Sequence, residues 1–249
     1  MTLPRSLLFL APLALFATGC SQPEVEFTEP PIAETTASSS VSSIATMPSS
    51  ANDQPVEAAA PVASARIKVP FSPQAPTANW DAMHEETCEE MALIMVQRYW
   101  AKEGLTPESA EAELQSLVSW MDDQGYEWDV TMEELAEVAR EHYGLQAHVE
   151  TDVTVESIER HIAAGQPVII PAAGRQLGNP YFSGEGPWYH VLTIVGYDKT
   201  SFITNDPGTR RGEGYKYEKD HLVDVIHDWT GVKEDIQNGP KAMLIVRPS

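Results

Sequence analysis

Cys88 has the surroundings of a nucleophilic thiol. Apolar residues that follow it recur at helical spacing and predict a buried helix that begins near Thr87: Met91, Ala92, Met95, Val96 and Tyr99. In the first turn of a helix, unpaired N–H groups and the helix dipole favour a thiolate and lower its pKa. Thr87 is placed to cap that turn. Four nearby carboxylates oppose the shift, so a basic partner from elsewhere in the fold is required: Glu85, Glu86, Glu89 and Glu90.

His190 is the candidate for that partner. It lies near the start of a predicted strand (188–197) that is joined to a second strand (201–205) at hairpin length. A turn centred near residues 198 and 199 makes the numbers of paired residues sum to about 397. His190 and Asp206 then lie nearly opposite each other on the two strands, with Cβ atoms roughly 4.5 to 5.5 Å apart. An aspartate at that distance orients an imidazole for proton transfer. Alternatively, Asp206 merely begins an Asp-Pro-Gly turn.

The remaining predicted elements are a mixture of helices and strands. We predict a short first strand at 67–71 and a Gly-rich loop at 173–187, whose length favours a functional role. The other predicted elements are helices at 107–121, 131–143 with Gly144 as its C-cap, and 155–164; strands at 146–151 and 168–171; a strand from Tyr215 that leads into an amphipathic helix through Leu222, Val225, Ile226 and Trp229; and a closing strand at 242–246.

The N-terminal segment has the pattern of an export signal. Arg5, an apolar stretch at 7–16 and the small residues 17–19 precede Cys20, which resembles a bacterial lipoprotein signal (1–19) with Cys20 as the lipidated residue. An ordinary signal peptide is the alternative. Residues 20–65 are rich in Ser, Ala, Pro and Glu and predict a disordered tether. Lipidation of Cys20 leaves Cys88 as an unpaired thiol in an oxidising compartment.

Residues 66–249 are long enough for one domain with a sizeable core. The formal net charge of −21 argues against nucleic acid as a partner. We predict no cofactor and no metal, because five histidines show no ligand spacing with one another or with cysteine: His142, His148, His161, His221 and His227. Trp80 either lines a subsite or belongs to the core, and the core is favoured.

Four segments, in this order and spacing, resemble the bacteriocin-processing-type cysteine peptidases of papain-like fold, particularly their stand-alone members. They are Val69-Pro70-Phe71-Ser72-Pro73-Gln74; Thr87-Cys88-Glu89-Glu90-Met91-Ala92; Trp188-Tyr189-His190-Val191 with Gly196-Tyr197-Asp198; and Asn205-Asp206-Pro207-Gly208. The resemblance implies an α+β papain-like fold in which the nucleophile helix packs on an antiparallel sheet. It also implies roles for four residues. Cys88 is the nucleophile, His190 the general base and acid, Asp206 its orienting partner and Gln74 an oxyanion donor.

The chain departs from the transporter-linked members in having Thr-Cys-Glu around the thiol and Gln74 14 positions upstream of it. We therefore expect an envelope or extracellular peptide or protein, or a cell-wall amide, as substrate. The membrane is expected as a partner only through the N-terminal lipid, and the oligomeric state stays open. Two other functions remain: an acyl or amide transferase with the same triad, and a non-catalytic peptide-binding module.

Overall fold

The computed structural model describes residues 63–249. The predicted signal (1–19), Cys20 and nearly all of the predicted tether (20–65) lie outside the described residues. The tether's last predicted residue, Ala65, already belongs to the first strand. Within the described part, no helix combines the length and the apolar character needed to cross a bilayer.

A seven-stranded antiparallel sheet forms the framework of the described domain. Its path is β2-β7-β3-β4-β5-β6, and β1 pairs with β4 beyond the end of β3. Every residue of β4 is buried, which places this strand inside the core. The strands are β1 (Ala65–Arg66), β2 (Gln146–Glu150), β3 (Val168–Ala173), β4 (Tyr189–Tyr197), β5 (Ser201–Asn205), β6 (Glu213–Glu218) and β7 (Met243–Arg247).

The helix that begins at Cys88 is the central helix of the domain and packs on β4. Six consecutive side chains, Met91 to Val96, have no exposed surface. Burying each large apolar side chain contributes about 1.5–3 kcal/mol, so the helix start is held firmly against the sheet. The helices are α1 (Cys88–Ala101), α2 (Pro107–Gln124), α3 (Met132–Glu141), α4 (Val155–Ala163) and α5 (Lys219–Val225).

The predicted side-chain cap of α1 is wrong. Helices α2, α3 and α4 each begin with a capping box, formed by Thr106, Thr131 and Thr154. Thr87 precedes α1 in a different backbone conformation (φ −112°, ψ 35°), and its side chain makes no capping bond. Its hydroxyl instead donates to the carbonyl of His84 at 3.4 Å.

Two predicted elements are shorter than expected. Residues 67–71 are not a strand, although the Ile67 N–H still bonds to the Val195 carbonyl at 2.7 Å. Pro70 has no N–H to donate, so the ladder does not continue through this segment. The helix after β6 ends at Val225, and Ile226 is already extended. Trp229 therefore packs from a loop.

The hairpin register also differs from the prediction. Tyr197 pairs with Phe202 and Thr193 with Asn205, and an irregularity lies between Ile194 and Gly196. The extra residue on β4 shifts the pairing, as a bulge does. Extending the Thr193–Asn205 pairing by one step puts Asp206 level with Leu192 instead of near His190.

Candidate active site

His190 and Asp206 meet in spite of this diagonal offset. His190 Nε2 lies 2.7 Å from Asp206 Oδ1, and both side chains are buried. Diagonal neighbours across a strand pair are within reach of long side chains. The bond to Nε2 leaves Nδ1 as the ring nitrogen available for proton exchange.

Asp206 is held by three further donors. The Gly208 N–H donates to Oδ1 at 3.0 Å. The Tyr217 hydroxyl donates to Oδ2 at 2.7 Å, and the Asn179 amide donates to the same oxygen at 3.0 Å. Burial opposes ionisation, but His190, the Tyr217 hydroxyl and the Gly208 N–H together keep the pKa of Asp206 below its ordinary value. The aspartate therefore stays anionic beside the imidazole.

Cys88 is the first residue of α1, and its thiol faces β4. Its Sγ accepts a hydrogen bond from the Val191 N–H at 3.3 Å and donates to Glu89 Oε2 at 3.0 Å. Val191 follows His190 directly in β4. The thiol thus contacts the strand one residue away from the imidazole.

The depressed thiol pKa that we predicted is wrong. Burial, followed by the Glu89 carboxyl, raises the pKa of Cys88 well above its ordinary value. The prediction assumed an accessible helix start, whereas Cys88 is only 5% exposed and has an acidic neighbour in contact with it. Burial, Glu90 and Asp129 likewise raise the pKa of Glu89 well above its ordinary range. Burial and the acidic neighbours thus disfavour ionisation of both the Cys88 thiol and the Glu89 carboxyl.

Gln74 is fixed at the wall of the same cavity. Its Nε2 donates to the His84 carbonyl at 2.7 Å, and its backbone N–H donates to the Pro207 carbonyl at 2.9 Å. One amide hydrogen of Nε2 remains after this bond. His84 is itself fixed, because its ring nitrogens lie 2.8 Å from Asp81 and 3.1 Å from Glu111.

A cavity of about 340 Å³ brings the predicted residues together. Cys88, His190 and Gln74 all line it, and Asp206 lies behind the imidazole. Its remaining lining residues are Trp80, Glu85, Glu86, Asp129, Phe182, Ser183, Gly186, Pro187, Trp188, Tyr189, Gly208 and Lys233. Lys233 lies 3.4 Å from Glu86 and 3.5 Å from Asp129. The cavity therefore holds a thiol and an imidazole in a mostly acidic surround.

The predicted functional loop, 173–187, supplies part of this cavity. It begins with a 3-10 turn at Gly174–Leu177. Phe182 then meets the His190 ring edge-on, with centroids 5.2 Å apart. Gly208 lies against the same imidazole, since a Cβ there would come within 2.7 Å of His190 Cε1. Trp80, which we favoured as a core residue, is 38% exposed and lines the cavity.

Several residues of the site were missed from the sequence. Asn179 and Tyr217 approach Asp206 from the loop and from β6, and no local pattern marks either residue. Glu89 was recognised only as an opposing charge, although its burial follows from its place in the first turn of a buried helix. Among the described residues, no group of three or more His, Cys, Asp or Glu side chains is arranged to hold a metal ion.

The model of the Peptidase_C39 like family matches residues 66–235, which include all four predicted site residues. The chain belongs to this family. The predicted fold class is confirmed: the C39-like domain is α+β and papain-like, and the helix that begins at Cys88 packs on an antiparallel sheet. No curated protein matches the sequence.

Two solved structures are similar to this C39-like domain. A putative C39-like peptidase from Bacillus anthracis is 20% identical with a TM-score of 0.49, and the match covers 75% of this chain and 98% of that one. UfSP from C. elegans is 15% identical with a TM-score of 0.39, and the match covers 76% of this chain and 35% of that one. The family assignment rests on the family match, which spans most of the described domain.

Proposed function

We propose that this C39-like domain is a thiol hydrolase that cleaves peptide bonds on the exported side of the cell envelope. The observation that carries the proposal is the cavity that Cys88 and His190 both line. Asp206 lies behind the imidazole and fixes it through Nε2. A buried thiol needs a base beside it to act as a nucleophile. The exported location rests on the N-terminal sequence alone.

The first step forms a thioester. His190 accepts the Cys88 thiol proton at Nδ1 as Sγ adds to the peptide carbonyl carbon, and the negative charge of Asp206 stabilises the resulting imidazolium. The remaining Nε2 hydrogen of Gln74 and the Cys88 N–H are the donors for the tetrahedral oxyanion. Collapse of this intermediate breaks the C–N bond. The leaving amine takes its proton from His190.

The second step returns the free thiol. His190 removes a proton from water as the water oxygen adds to the thioester carbonyl, and collapse of the second tetrahedral intermediate expels the sulfur of Cys88. The acid product leaves, and the thiol regains the proton. The high pKa of Cys88 favours proton transfer during attack over a resting thiolate–imidazolium pair.

Hydrolysis of a peptide library by the full chain tests the proposal, with mass spectrometry of the products. Cys88→Ala should abolish turnover. His190→Ala should lower kcat by roughly 10²- to 10⁴-fold, the usual contribution of a general base. His161→Ala is the matched control, because His161 is also buried and bonded to a carboxylate, at 3.1 Å from Glu150, but lies outside the cavity.

Circular dichroism should show that each variant stays folded. Equal turnover by wild type and Cys88→Ala would refute the proposal. Products that carry an added amine or alcohol in place of water would identify a transferase instead.

A further inference from the structure

A second cavity adjoins the one that holds Cys88. Its volume is about 350 Å³, and it shares Trp80, Ser183 and Gly208 with the first. Its other lining residues are Tyr181, Thr209, Arg210 and Arg211. Because Gly208 also touches the His190 ring, the second cavity begins beside the reacting centre.

Two adjacent guanidinium groups give this cavity a positive charge. Arg210 and Arg211 are exposed, and neither forms an ion pair with a carboxylate within residues 63–249. Arg211 lies over the Tyr181 ring, 4.9 Å from its centroid. These two neighbouring arginines give the cavity wall a local positive charge in a chain whose net charge is −21. Guanidinium is the side-chain group best suited to bidentate contact with a carboxylate.

The same cavity exposes aromatic surface. Trp80 is 38% exposed and Tyr181 is 44% exposed, and they are two of the three large apolar side chains exposed in the described residues. Tyr181 is held in place by an edge-on contact with Tyr215, with centroids 6.0 Å apart. Apolar surface beside a cavity is typical of binding sites.

The first cavity has the opposite charge. Glu85, Glu86 and Asp129 line it, and Lys233 neutralises only part of their charge. A peptide that crosses both cavities therefore meets an acidic wall at one end and a basic wall at the other. This polarity fixes the direction in which a charged peptide lies.

We propose that the second cavity is a substrate subsite for a peptide carboxylate, held by Arg210 and Arg211 and flanked by Trp80 and Tyr181. The subsite deepens the proposed hydrolase function and rests on it. The carboxylate comes from an acidic side chain or from a free C-terminus. Since Gly208 lines both cavities and lies beside the imidazole, the proposed subsite adjoins the position of the scissile bond.

Binding to the full-length Cys88→Ala protein tests the subsite without turnover. Three pools of fluorescent octapeptides are compared by polarisation: one with a single Glu and an amidated end, one with Gln in its place and an amidated end, and one with Gln and a free C-terminus. The Glu pool or the free-carboxylate pool should bind roughly three- to tenfold more tightly than the Gln amide pool, as a partly exposed charge pair allows. Tighter binding of the Glu pool identifies an acidic side chain as the source of the carboxylate, and tighter binding of the free-carboxylate pool identifies the C-terminus.

Arg210→Gln/Arg211→Gln should abolish this preference, and Arg210→Glu/Arg211→Glu should transfer it to a pool with Lys. The control Lys199→Gln/Arg247→Gln removes the same charge from exposed positions outside both cavities and should keep the preference. Equal binding of the three pools, or binding too weak to detect in all of them, overturns the subsite. A preference that survives in Arg210→Gln/Arg211→Gln overturns it as well.

Turnover of the same pools by wild type separates the two proposals. Selective binding without cleavage supports the subsite and refutes the hydrolase. Cleavage without selective binding supports the hydrolase and refutes the subsite.

Discussion

Glu89 controls the ionisation of the thiol beside it. Its Oε2 accepts the Cys88 S–H, and its Oε1 accepts the Val130 N–H at 3.3 Å. A carboxyl oxygen that accepts from Sγ gives a thiolate no donor, and the carboxyl raises the pKa of Cys88. Glutamine has the same shape as glutamate. At position 89 its amide oxygen keeps the bond from the Val130 N–H, and its amide nitrogen places a hydrogen-bond donor toward Sγ.

Glu89→Gln should therefore lower the pKa of Cys88. Iodoacetamide should then alkylate the native variant faster than wild type at neutral pH, and the midpoint of the rate against pH should move down. Glu85→Gln is the control, because Glu85 lines the cavity but makes no contact with Sγ. An unchanged midpoint in Glu89→Gln would contradict this role.

The same carboxyl makes the stability of the protein depend on pH. Its pKa is raised on folding, so the folded state keeps a proton that the unfolded chain has already lost. The stability that this proton confers is complete below the unfolded pKa and is lost as pH rises through the folded pKa. Over the pH range above about 4.5, the ordinary glutamate pKa, wild type should thus lose stability relative to Glu89→Gln as pH rises, measured by urea unfolding. A difference that stays constant over this range would disprove the buried-carboxyl explanation.

Three of the four predicted site residues were recognisable because each lies at the end of an element with a clear local pattern. Cys88 begins a buried helix, His190 is the second residue of a buried strand and Asp206 follows another. The pKa of the thiol was not predictable, because it depends on how deeply the helix start is buried. Asn179 and Tyr217 were not predictable either, since chain segments remote from Asp206 in sequence bring them to it.

At the scale of elements, β6 braces the hairpin that carries the imidazole. Tyr217 reaches from β6 to Asp206 at 2.7 Å and accepts a bond from Asn179 at 2.9 Å. It does not line the cavity of Cys88. Tyr217 is accordingly a positioning residue, which acts on substrate only through Asp206 and His190.

Tyr217→Phe should lower kcat roughly tenfold with little change in KM, since a hydrogen bond to a charged group contributes about 1.5–3 kcal/mol. Loss of this donor raises the pKa of Asp206, so the acidic limb of the pH–rate profile should move to higher pH. Tyr215→Phe is the matched control on the same strand, because its hydroxyl makes no bond to Asp206. An acidic limb that does not move would leave Tyr217 with a purely structural role.

Element positions were predicted better than register. The sequence pattern places β4 and β5 within one residue of their observed bounds. The pairing between them was missed because the irregularity between Ile194 and Gly196 has no signal in the apolar pattern. Only the reach of the two side chains preserves the predicted contact between His190 and Asp206.

For the whole molecule, attachment to the envelope remains a prediction from residues outside the described domain. Cys20→Ser should abolish labelling with palmitate and move the protein into the aqueous phase, because acyl chains supply the anchoring. Detergent phase partitioning of cells that express each form measures this. Unchanged membrane retention of the variant would indicate another means of attachment.

The place of β7 in the sheet makes completion of the fold depend on the last strand of the described domain. β7 lies between β2 and β3, so the sheet has a gap until residues 243–247 have been made. Pairing Gln146 with Arg247 joins segments about 100 residues apart, which is slow because long loops must close first. A chain that lacks these residues thus has no partner strand for β2, although α1 and β4, which carry the thiol and the imidazole and contact each other directly, are already made.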